Sequence, residues 1–551
     1  MKQSVSSSVF RHMLPRLINP SLRRALPLLI LLVAWGLRVH ALGGKSLWYD
    51  ELRQVEVAAH PLSDFEPLLI VHTARPLDYA ITHYWLLGAA DVDGPPGRVE
   101  FWLRFPAALW SMAALAVFWP LARRWLGWPQ AVGALALMAA APLAVQYAQE
   151  LRPYSIYLLW AMLSFYCLDR ALGLGRPQQK DASGAAWLGF GLASAAGVLT
   201  HFFYLTVLAV QGVFVLGLWM AERLRGRRQP VGDRHVTNSG LLAFAACGAA
   251  AVAALFVDYQ PDWLGFWARR FLGAVAAAPA AGGLVSDAGA VLTGGDAPPV
   301  EFLLRGVLPF FGGGEGPALT LFAGLALLGF IVLARWDRTR FTLAGLWLAV
   351  GPAFVIIYLI YRDQFFALRY ILYALPIYLM LAAAGLATLS RLAGRLLSSQ
   401  RAPRAVLGLG LALMVSFQSQ RLAFYYAQHK ADYRRVGQFL TLNTLPGDML
   451  GAPDVQAFVR FYAPNQAAVI VDANDIGPHQ QALANGERFW FVVSDYTLAP
   501  LAETREWALG LTGVTLRLDP DIKVVFVHPG LTQAQMLEEA AGFTIPPRSG
   551  P

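Results

Sequence analysis

LRVHALGGKSLWYDE, residues 37–51, leads from the end of a long apolar run into a turn that carries two adjacent carboxylates. The run covers about residues 25–42, and a helix needs roughly 20 mostly apolar residues to span a membrane. Trp48 and Tyr49 are of the aromatic types that anchor a segment at headgroup depth. This stretch therefore indicates a membrane protein whose polar groups lie at one membrane face.

Further apolar runs recur along the chain after the first one. The 551 residues are 56% hydrophobic and 14% charged, whereas a soluble protein carries about 25% charged residues. The runs lie at 25–42, 105–122, 130–145, 154–168, 185–200, 203–221, 239–257, 317–334, 341–361, 371–390 and 405–420. We therefore predict a polytopic α-helical membrane protein with about eleven transmembrane helices.

The net charge of +9 follows a pattern that argues against a nucleic-acid partner. The residues before the first span include five basic residues and no acidic one: Lys2, Arg11, Arg16, Arg23 and Arg24. Later basic groups fall at every second segment between spans, at 123–124, 170–180, 223–234, 335–340 and 391–404. Cytoplasmic loops carry such an excess of Lys and Arg, which also attracts anionic lipids. The pattern predicts a bacterial inner-membrane protein with a cytoplasmic N-terminus and, for an odd number of spans, a periplasmic C-terminus.

The chain divides into three parts. A basic tail (1–24) precedes the membrane domain (25–420), whose first extracytoplasmic loop covers about 43–104. Beyond this, residues 421–551 alternate helical with extended runs, which predicts a small α/β domain with a mostly parallel sheet. That domain has no glycine-rich phosphate-binding motif, so we predict no cofactor.

The first candidate residues for chemistry are Asp50 and Glu51. A carboxylate at the outer membrane interface can take a proton from a substrate hydroxyl or amine. The structural alternative is a solvated acidic pair at a helix end. We favour a functional role because charges at membrane depth tend to be functional.

A second candidate segment, QELRPYS (149–155), forms a very short external loop. It holds a carboxylate, Glu150, and a guanidinium, Arg152, near the membrane surface, with Tyr154 beside them as a further substrate-binding candidate. The alternative is an ion pair within the loop or a side chain that reaches up to the headgroups. We again favour function on the same membrane-depth argument.

Basic groups and one histidine lie at other external span ends. Arg75, and Arg369 with its neighbour Tyr370, could bind a phosphate, since the planar arginine fork bonds two oxygens at once. For Arg369, contact with lipid headgroups is an equal alternative. His201 could ligate a metal or bind substrate, although a lone histidine more often has a structural hydrogen bond. Acids and phosphate-binding cations beside a membrane suggest an anionic lipid substrate and acid–base chemistry.

The fourth external loop, about 258–316, begins with aromatic and basic residues and continues as an Ala/Gly/Pro-rich stretch. We hypothesise that it is a lid that orders over bound donor and excludes water. A passive connector is an equal alternative.

Several segments together resemble the GT-C fold glycosyltransferases that use polyprenyl-phosphate sugars. That group includes the protein O-mannosyltransferases, the lipid A aminoarabinose transferase and the RgtA/B/C/D-like members of glycosyltransferase family 39. The similar segments, which follow the family order from about 35 to 390, are LRVHALGGKSLWYDE, RPLDYAITHYWL, LRFPAALWS, QYAQELRPYSIYLL, LTHFFYL and RYILYALPIYL. In RPLDYAITHYWL only one of two family prolines is kept, and Arg75 takes the place of a lysine that contacts the lipid phosphate.

The resemblance implies an inverting hexosyl or pentosyl transfer from a polyprenyl-phosphate donor, with Asp50 as general base. The acceptor, whether glycan, lipid or protein, stays open. Metal use varies across the superfamily, and we predict no metal here. A transporter or flippase of lipid-linked saccharides is the main alternative, but its charges would lie at the midplane of several spans. A lipid-carrier phosphatase would need a histidine motif that this sequence lacks.

Overall fold

The computed structural model describes residues 20–62, 76–88, 97–174, 184–225, 236–257, 306–361, 366–452, 455–471, 476–495 and 502–548. Arg75 lies outside these residues, and so do 258–305 of the predicted lid.

The described part of the chain before residue 428 is helical. Its α-helices are α1 (Pro20–Val39), α2 (Tyr49–Ala59), α3 (Pro76–Gly88), α4 (Arg98–Leu126), α5 (Trp128–Ala140), α6 (Pro142–Ala148), α7 (Tyr154–Leu172), α8 (Gly184–Thr200), α9 (Tyr204–Arg225), α10 (Asn238–Val257), α11 (Leu308–Gly312), α12 (Pro317–Trp336), α13 (Arg338–Gly345), α14 (Gly351–Tyr361), α15 (Leu375–Leu396) and α16 (Ala402–Ala427). A π-helical stretch (Leu346–Val350) joins α13 to α14, and a 3₁₀ turn (Leu368–Ala374) leads into α15. Proline in the first turn of α5, α6, α12, α15 and α16 fits these starts, because that position needs no backbone N–H bond.

Six helical segments of the described chain are long and apolar enough to cross a membrane. They are α4, most of α9, α12, the run from α13 into α14, the 3₁₀ turn with α15, and α16; α5 with α6, bent by 52°, adds a seventh if the pair is one span. This confirms a multi-pass helical membrane protein. All eleven predicted runs fall on helices, but the count of about eleven spans is not reached by this measure. Of the predicted spans that are not counted, α8 is one example, because it has only 17 residues and is short for a membrane span.

Helices α12 and α15 pack closely against each other, and glycines lie where their backbones approach. A Cβ atom on Gly329 would lie 2.0 Å from the Leu381 carbonyl oxygen, and one on Gly385 would lie 1.9 Å from that of Leu325. Small residues at such crossings let helix backbones meet closely, which favours packing within a lipid environment. Either glycine replaced by alanine would force these helices apart.

An ion cluster closes the end of the helix bundle where α4 and α7 terminate. Arg124 binds the buried Asp169, which also accepts a 3.1 Å hydrogen bond from the Trp125 indole. Arg340, near the start of α13, lies 3.7 Å from the same carboxylate and donates to the Leu174 carbonyl at 2.7 Å. These residues belong to segments for which the charge pattern predicts a cytoplasmic position.

The residues after 428 form a sheet flanked by helices. Its elements are α17 (Tyr433–Asn443), β1 (Met449–Gly451), α18 (Gln456–Tyr462), β2 (Ile470–Val471), α19 (Ile476–Ala484), β3 (Phe489–Ser494), α20 (Ala502–Leu509), β4 (Val514–Asp519), β5 (Ile522–Val527) and α21 (Gln533–Ala541). The strand order is β2-β1-β3-β5-β4. The β1 pairings are parallel, whereas β3–β5 and β4–β5 are antiparallel, so the sheet is mixed and not mostly parallel. β4 pairs with β5 as a tight antiparallel hairpin.

The sheet domain packs on the loops of the membrane domain. Leu47, Leu52, Leu103 and Leu151 share one hydrophobic cluster with buried residues of the sheet and its helices. Arg434 of α17 donates a 2.7 Å hydrogen bond to the buried Glu100 of α4. The candidate site lies in these same loops and in the linker 428–432.

Candidate active site

The candidate site forms where five separate segments meet at one end of the bundle. They are the turn before α2, the loop between α6 and α7, the α8–α9 turn, the approach to α15, and the linker after α16. Gly43 fixes the first of these, since a Cβ there would lie 2.0 Å from the carbonyl oxygen of Gly97. The chain turns at Gly97 with φ +89°, a conformation that favours glycine.

Asp50 occupies the first turn of α2 beside two arginines. Arg152 places one Nη 3.2 Å from the Asp50 carboxylate and donates from the other to the Asp50 carbonyl at 3.0 Å. Arg369 lies 3.8 Å from the same carboxylate oxygen. The Asp50 side chain is 26% exposed, so a substrate can still reach it. Burial lowers the pKa of Arg152, but the Asp50 charge together with Tyr154 and Tyr79 outweighs this and leaves the pKa above its ordinary value, so Arg152 stays charged.

Glu51, although adjacent, has a different environment. Its two oxygens accept 2.7 Å hydrogen bonds from Arg104, and they also accept from the backbone N–H groups of Leu151 (2.8 Å) and Trp48 (3.2 Å). The side chain is fully buried. Burial raises the pKa of the Glu51 carboxyl, but the charge and hydrogen bonds of Arg104 outweigh this, so it lies below its usual value. This carboxylate joins three site segments and has no open face toward a substrate.

Glu150, the third predicted acid, is also fully buried. Lys430, from the linker after α16, places its Nζ 3.9 Å from a Glu150 oxygen. The same Nζ lies 5.7 Å from the centre of the Trp48 ring. A residue of the sheet domain's linker thus reaches both the acid of the α6–α7 loop and the indole before α2.

An aromatic wall surrounds the Arg369 guanidinium. It lies 5.5 Å from the Tyr154 ring centre, 5.6 Å from that of Tyr370 and 5.9 Å from that of Trp48. The His201 ring packs 5.7 Å from Tyr154 and 6.1 Å from Tyr370, and its Nδ1 accepts from the Phe203 N–H at 3.2 Å. Of the predicted substrate-binding residues, Tyr154 and Tyr370 therefore flank Arg369, and His201 packs against both tyrosines.

Arg38, in the last turn of α1, points inward. Its side chain is fully buried. It donates to the Ser111 hydroxyl at 2.8 Å and to the carbonyls of Ala139 (3.0 Å) and Ala34 (3.1 Å). Arg38 therefore ties α1 to α4 and α5 and does not reach the headgroups.

Sequence reasoning missed three cations of the site: Lys45, Arg104 and Lys430. Lys45 donates a 2.8 Å hydrogen bond to the Tyr425 carbonyl. Burial, and then the charges of Lys430 and Arg104, lower the pKa of Lys45 to about 8. Arg104 lies in LRFPAALWS, one of the segments that resemble the family, so the sequence could have indicated it as a partner for an acid. No feature of the sequence indicates a site role for Lys430.

One group in the described part of the chain has metal-ligand geometry. His429, Asp519 and Asp521 place one ligand atom each within 4.8 Å of one another. His429 Nε2 lies 3.1 Å from Asp519 and 3.6 Å from Asp521, so a histidine–carboxylate pair accounts for the contact. The group joins the linker to the β4–β5 turn and includes none of the predicted site residues.

Residues 96–257 match the family described as dolichyl-phosphate-mannose-protein mannosyltransferase. Crystal structures of ArnT from Cupriavidus metallidurans are similar over 92% of this chain at 15% identity: the apo state over 97% of its chain (TM-score 0.52), and the form bound to undecaprenyl phosphate over 98% (TM-score 0.53). An oligosaccharyltransferase from Archaeoglobus fulgidus is similar over 86% of this chain and 69% of its own, at 11% identity and a TM-score of 0.49. No curated protein sequence matches the chain significantly.

The ArnT likeness extends over nearly the full length of both chains. At 15% identity it shows a shared fold. The resemblance to GT-C fold glycosyltransferases, inferred from segments between about 35 and 390, is therefore confirmed at the level of the fold.

Proposed function

We propose that this chain, which has the GT-C fold, is an integral-membrane glycosyltransferase that moves a sugar from a polyprenyl-phosphate donor to an acceptor nucleophile. The ArnT structure that carries undecaprenyl phosphate supports a donor of this class. The mannosyltransferase family match over 96–257 supports sugar transfer. The sugar, a hexose or a pentose, and the acceptor remain to be identified by experiment.

The observation that carries this proposal is the environment of Asp50. Of the three predicted acids, Asp50 keeps 26% of its side chain exposed, whereas Glu51 and Glu150 are fully buried. Asp50 also lies within 4 Å of two guanidinium groups. An accessible carboxylate beside cations that suit a phosphate is the pairing that this transfer requires.

The chemistry follows from that pairing. Asp50 takes the proton from the acceptor hydroxyl or amine, whose lone pair then attacks the anomeric carbon of the sugar. The bond from this carbon to the phosphate oxygen breaks on the opposite side, so the configuration inverts and polyprenyl phosphate leaves with the electron pair. Arg152 and Arg369 stabilise the charge that develops on the phosphate, since fixed cations act most strongly where water is excluded.

Glu51 and Glu150 act in this proposal as positioning residues. The Glu51–Arg104 pair holds the start of α2 against the α6–α7 loop through the Leu151 N–H. Glu150 holds the same loop toward Lys430. Both roles replace the catalytic ones predicted from the sequence, because a fully buried carboxylate cannot meet the acceptor without rearrangement.

We also propose that the site faces the periplasm and that transfer needs no metal. The orientation rests on the alternation of basic segments along the sequence. Absence of a metal requirement rests on the cations near Asp50, which supply the positive charge that a phosphate leaving group needs.

The test is donor turnover by the purified full chain in lipid vesicles. Polyprenyl-phosphate sugars of several kinds are supplied with candidate acceptors, and free polyprenyl phosphate and glycosylated acceptor are measured by mass spectrometry. We expect both products in equal amounts, with and without a metal chelator. Movement of intact donor across the bilayer without cleavage would instead identify a flippase.

A further inference from the structure

The linker between the membrane helices and the sheet domain delivers a cation to the candidate site. Lys430 lies three residues after the end of α16, and its side chain is only 17% exposed. It approaches Glu150 at 3.9 Å and the Trp48 ring at 5.7 Å. Trp48 is also the ring that Arg369 approaches, at 5.9 Å. The two cations, one from each domain, are therefore neighbours of the same indole.

The Trp48 indole Nε1–H is a buried hydrogen-bond donor that has no acceptor among the described residues. The Arg152 Nε–H, which belongs to the guanidinium that binds Asp50, is buried and likewise has no acceptor. Buried donors are rarely left unsatisfied, and each exception calls for an explanation such as a ligand. Both of these unsatisfied donors, on Trp48 and Arg152, lie at the candidate site.

The balance of charges points to the kind of ligand. Trp48, Arg152, Lys430 and Arg369 offer donors only, and the three cations among them face two carboxylates, Asp50 and Glu150. Arg104, in contrast, is occupied by the bidentate Glu51. A ligand with several acceptor oxygens and negative charge would satisfy the remaining donors, and a phosphate monoester or diester has that chemistry.

We propose that Lys430 and Trp48 bind the donor phosphate together with Arg152 and Arg369. The linker of the sheet domain thereby contributes a residue to the donor-phosphate site. This inference rests on the proposed function, because it takes the phosphate to be that of the polyprenyl donor. Lys430 contacts the phosphate oxygens through its ammonium group. Trp48 donates its indole N–H to the same group and supports the Arg369 guanidinium with its ring.

The experiment measures binding and not transfer. The full chain in detergent is titrated with polyprenyl monophosphate, and with polyprenol, which has the same tail and no phosphate. Lys430→Met keeps most of the aliphatic length and removes the charge. We expect Lys430→Met to weaken the monophosphate Kd about tenfold or more, since a bond to a charged group contributes about that much. Polyprenol binding should not change, and Lys430→Arg should restore most of the affinity.

Two further variants keep the test decisive. Lys523→Met, on β5 beside Asp495, removes a lysine of the sheet domain outside the site and should leave the Kd unchanged. Trp48→Phe keeps an aromatic ring of smaller size and removes the N–H donor, so it should weaken monophosphate binding several-fold even if Lys430→Met does not fold.

A Kd within twofold of wild type in both Lys430→Met and Trp48→Phe would overturn this inference while leaving the proposed function intact. Failure of the wild-type chain to bind monophosphate more tightly than polyprenol would refute both.

Discussion

Glu51 and Arg104 face each other in a bidentate ion pair with both bonds at 2.7 Å, and neither side chain is more than 4% exposed. The guanidinium also donates to the carbonyls of Leu42, Lys45 and Ser46. This pair therefore fastens the turn before α2 onto α4, next to a carboxylate that stays accessible.

Glu51→Gln should destabilise the protein more than it impairs chemistry. Removing one partner of a buried ion pair costs about 3–5 kcal/mol, because the other charge remains buried. We expect a clear fall in the melting temperature in detergent, and partial recovery when Arg104→Met is added. Equal melting temperatures with a large loss of kcat would instead restore Glu51 as a catalytic residue.

The different roles of Asp50 and Glu51 could not be read from the sequence. Neighbours on a helix point about 100° apart, and the partner that captures Glu51 comes 53 residues later. The meeting of Asp50, Arg152 and Arg369 was more predictable, because each follows or precedes an apolar run at an external end. Lys430 was not predictable, since it belongs to a linker whose path depends on how the sheet domain packs.

Lys45 makes stability depend on pH in the alkaline range. Its folded pKa of about 8 lies below the ordinary 10.5, so between these values the unfolded chain binds more protons than the folded one. Unfolding free energy therefore rises with pH across that window, as the cost of burying the charged ammonium fades. Measured from about pH 7.5 to about pH 10, the wild-type melting temperature should rise relative to that of Lys45→Met. A constant difference would contradict this assignment.

Arg75, outside the described residues, remains a predicted phosphate ligand on its likeness to a family lysine. Arg75→Ala should raise the KM for donor more than Arg75→Lys does, because lysine keeps the charge and loses only the fork. Arg53→Ala is a matched control: Arg53 forms an exposed pair with Glu56 at 2.6 Å, and such pairs contribute about 0–1 kcal/mol. An unchanged donor KM in Arg75→Ala would remove this residue from the site.

Membrane orientation is open to direct measurement. A reporter enzyme active only in the periplasm, fused after residue 430, should be active, and the same reporter fused near residue 228 should be silent. The reason is the alternation of basic segments. Cytoplasmic labelling of the sheet domain would reverse the orientation and, with it, the face on which transfer is proposed.

The central claim is that Asp50 is the general base of sugar transfer, and the transfer rate of Asp50→Asn tests it most directly. Asparagine keeps the shape and cannot take the proton, so kcat should fall about 10²–10⁴-fold, while the protein stays folded and still binds polyprenyl monophosphate. Asp495→Asn, an acid paired with Arg505 on the sheet domain, should transfer at the wild-type rate. A kcat for Asp50→Asn within a few-fold of wild type would contradict the account.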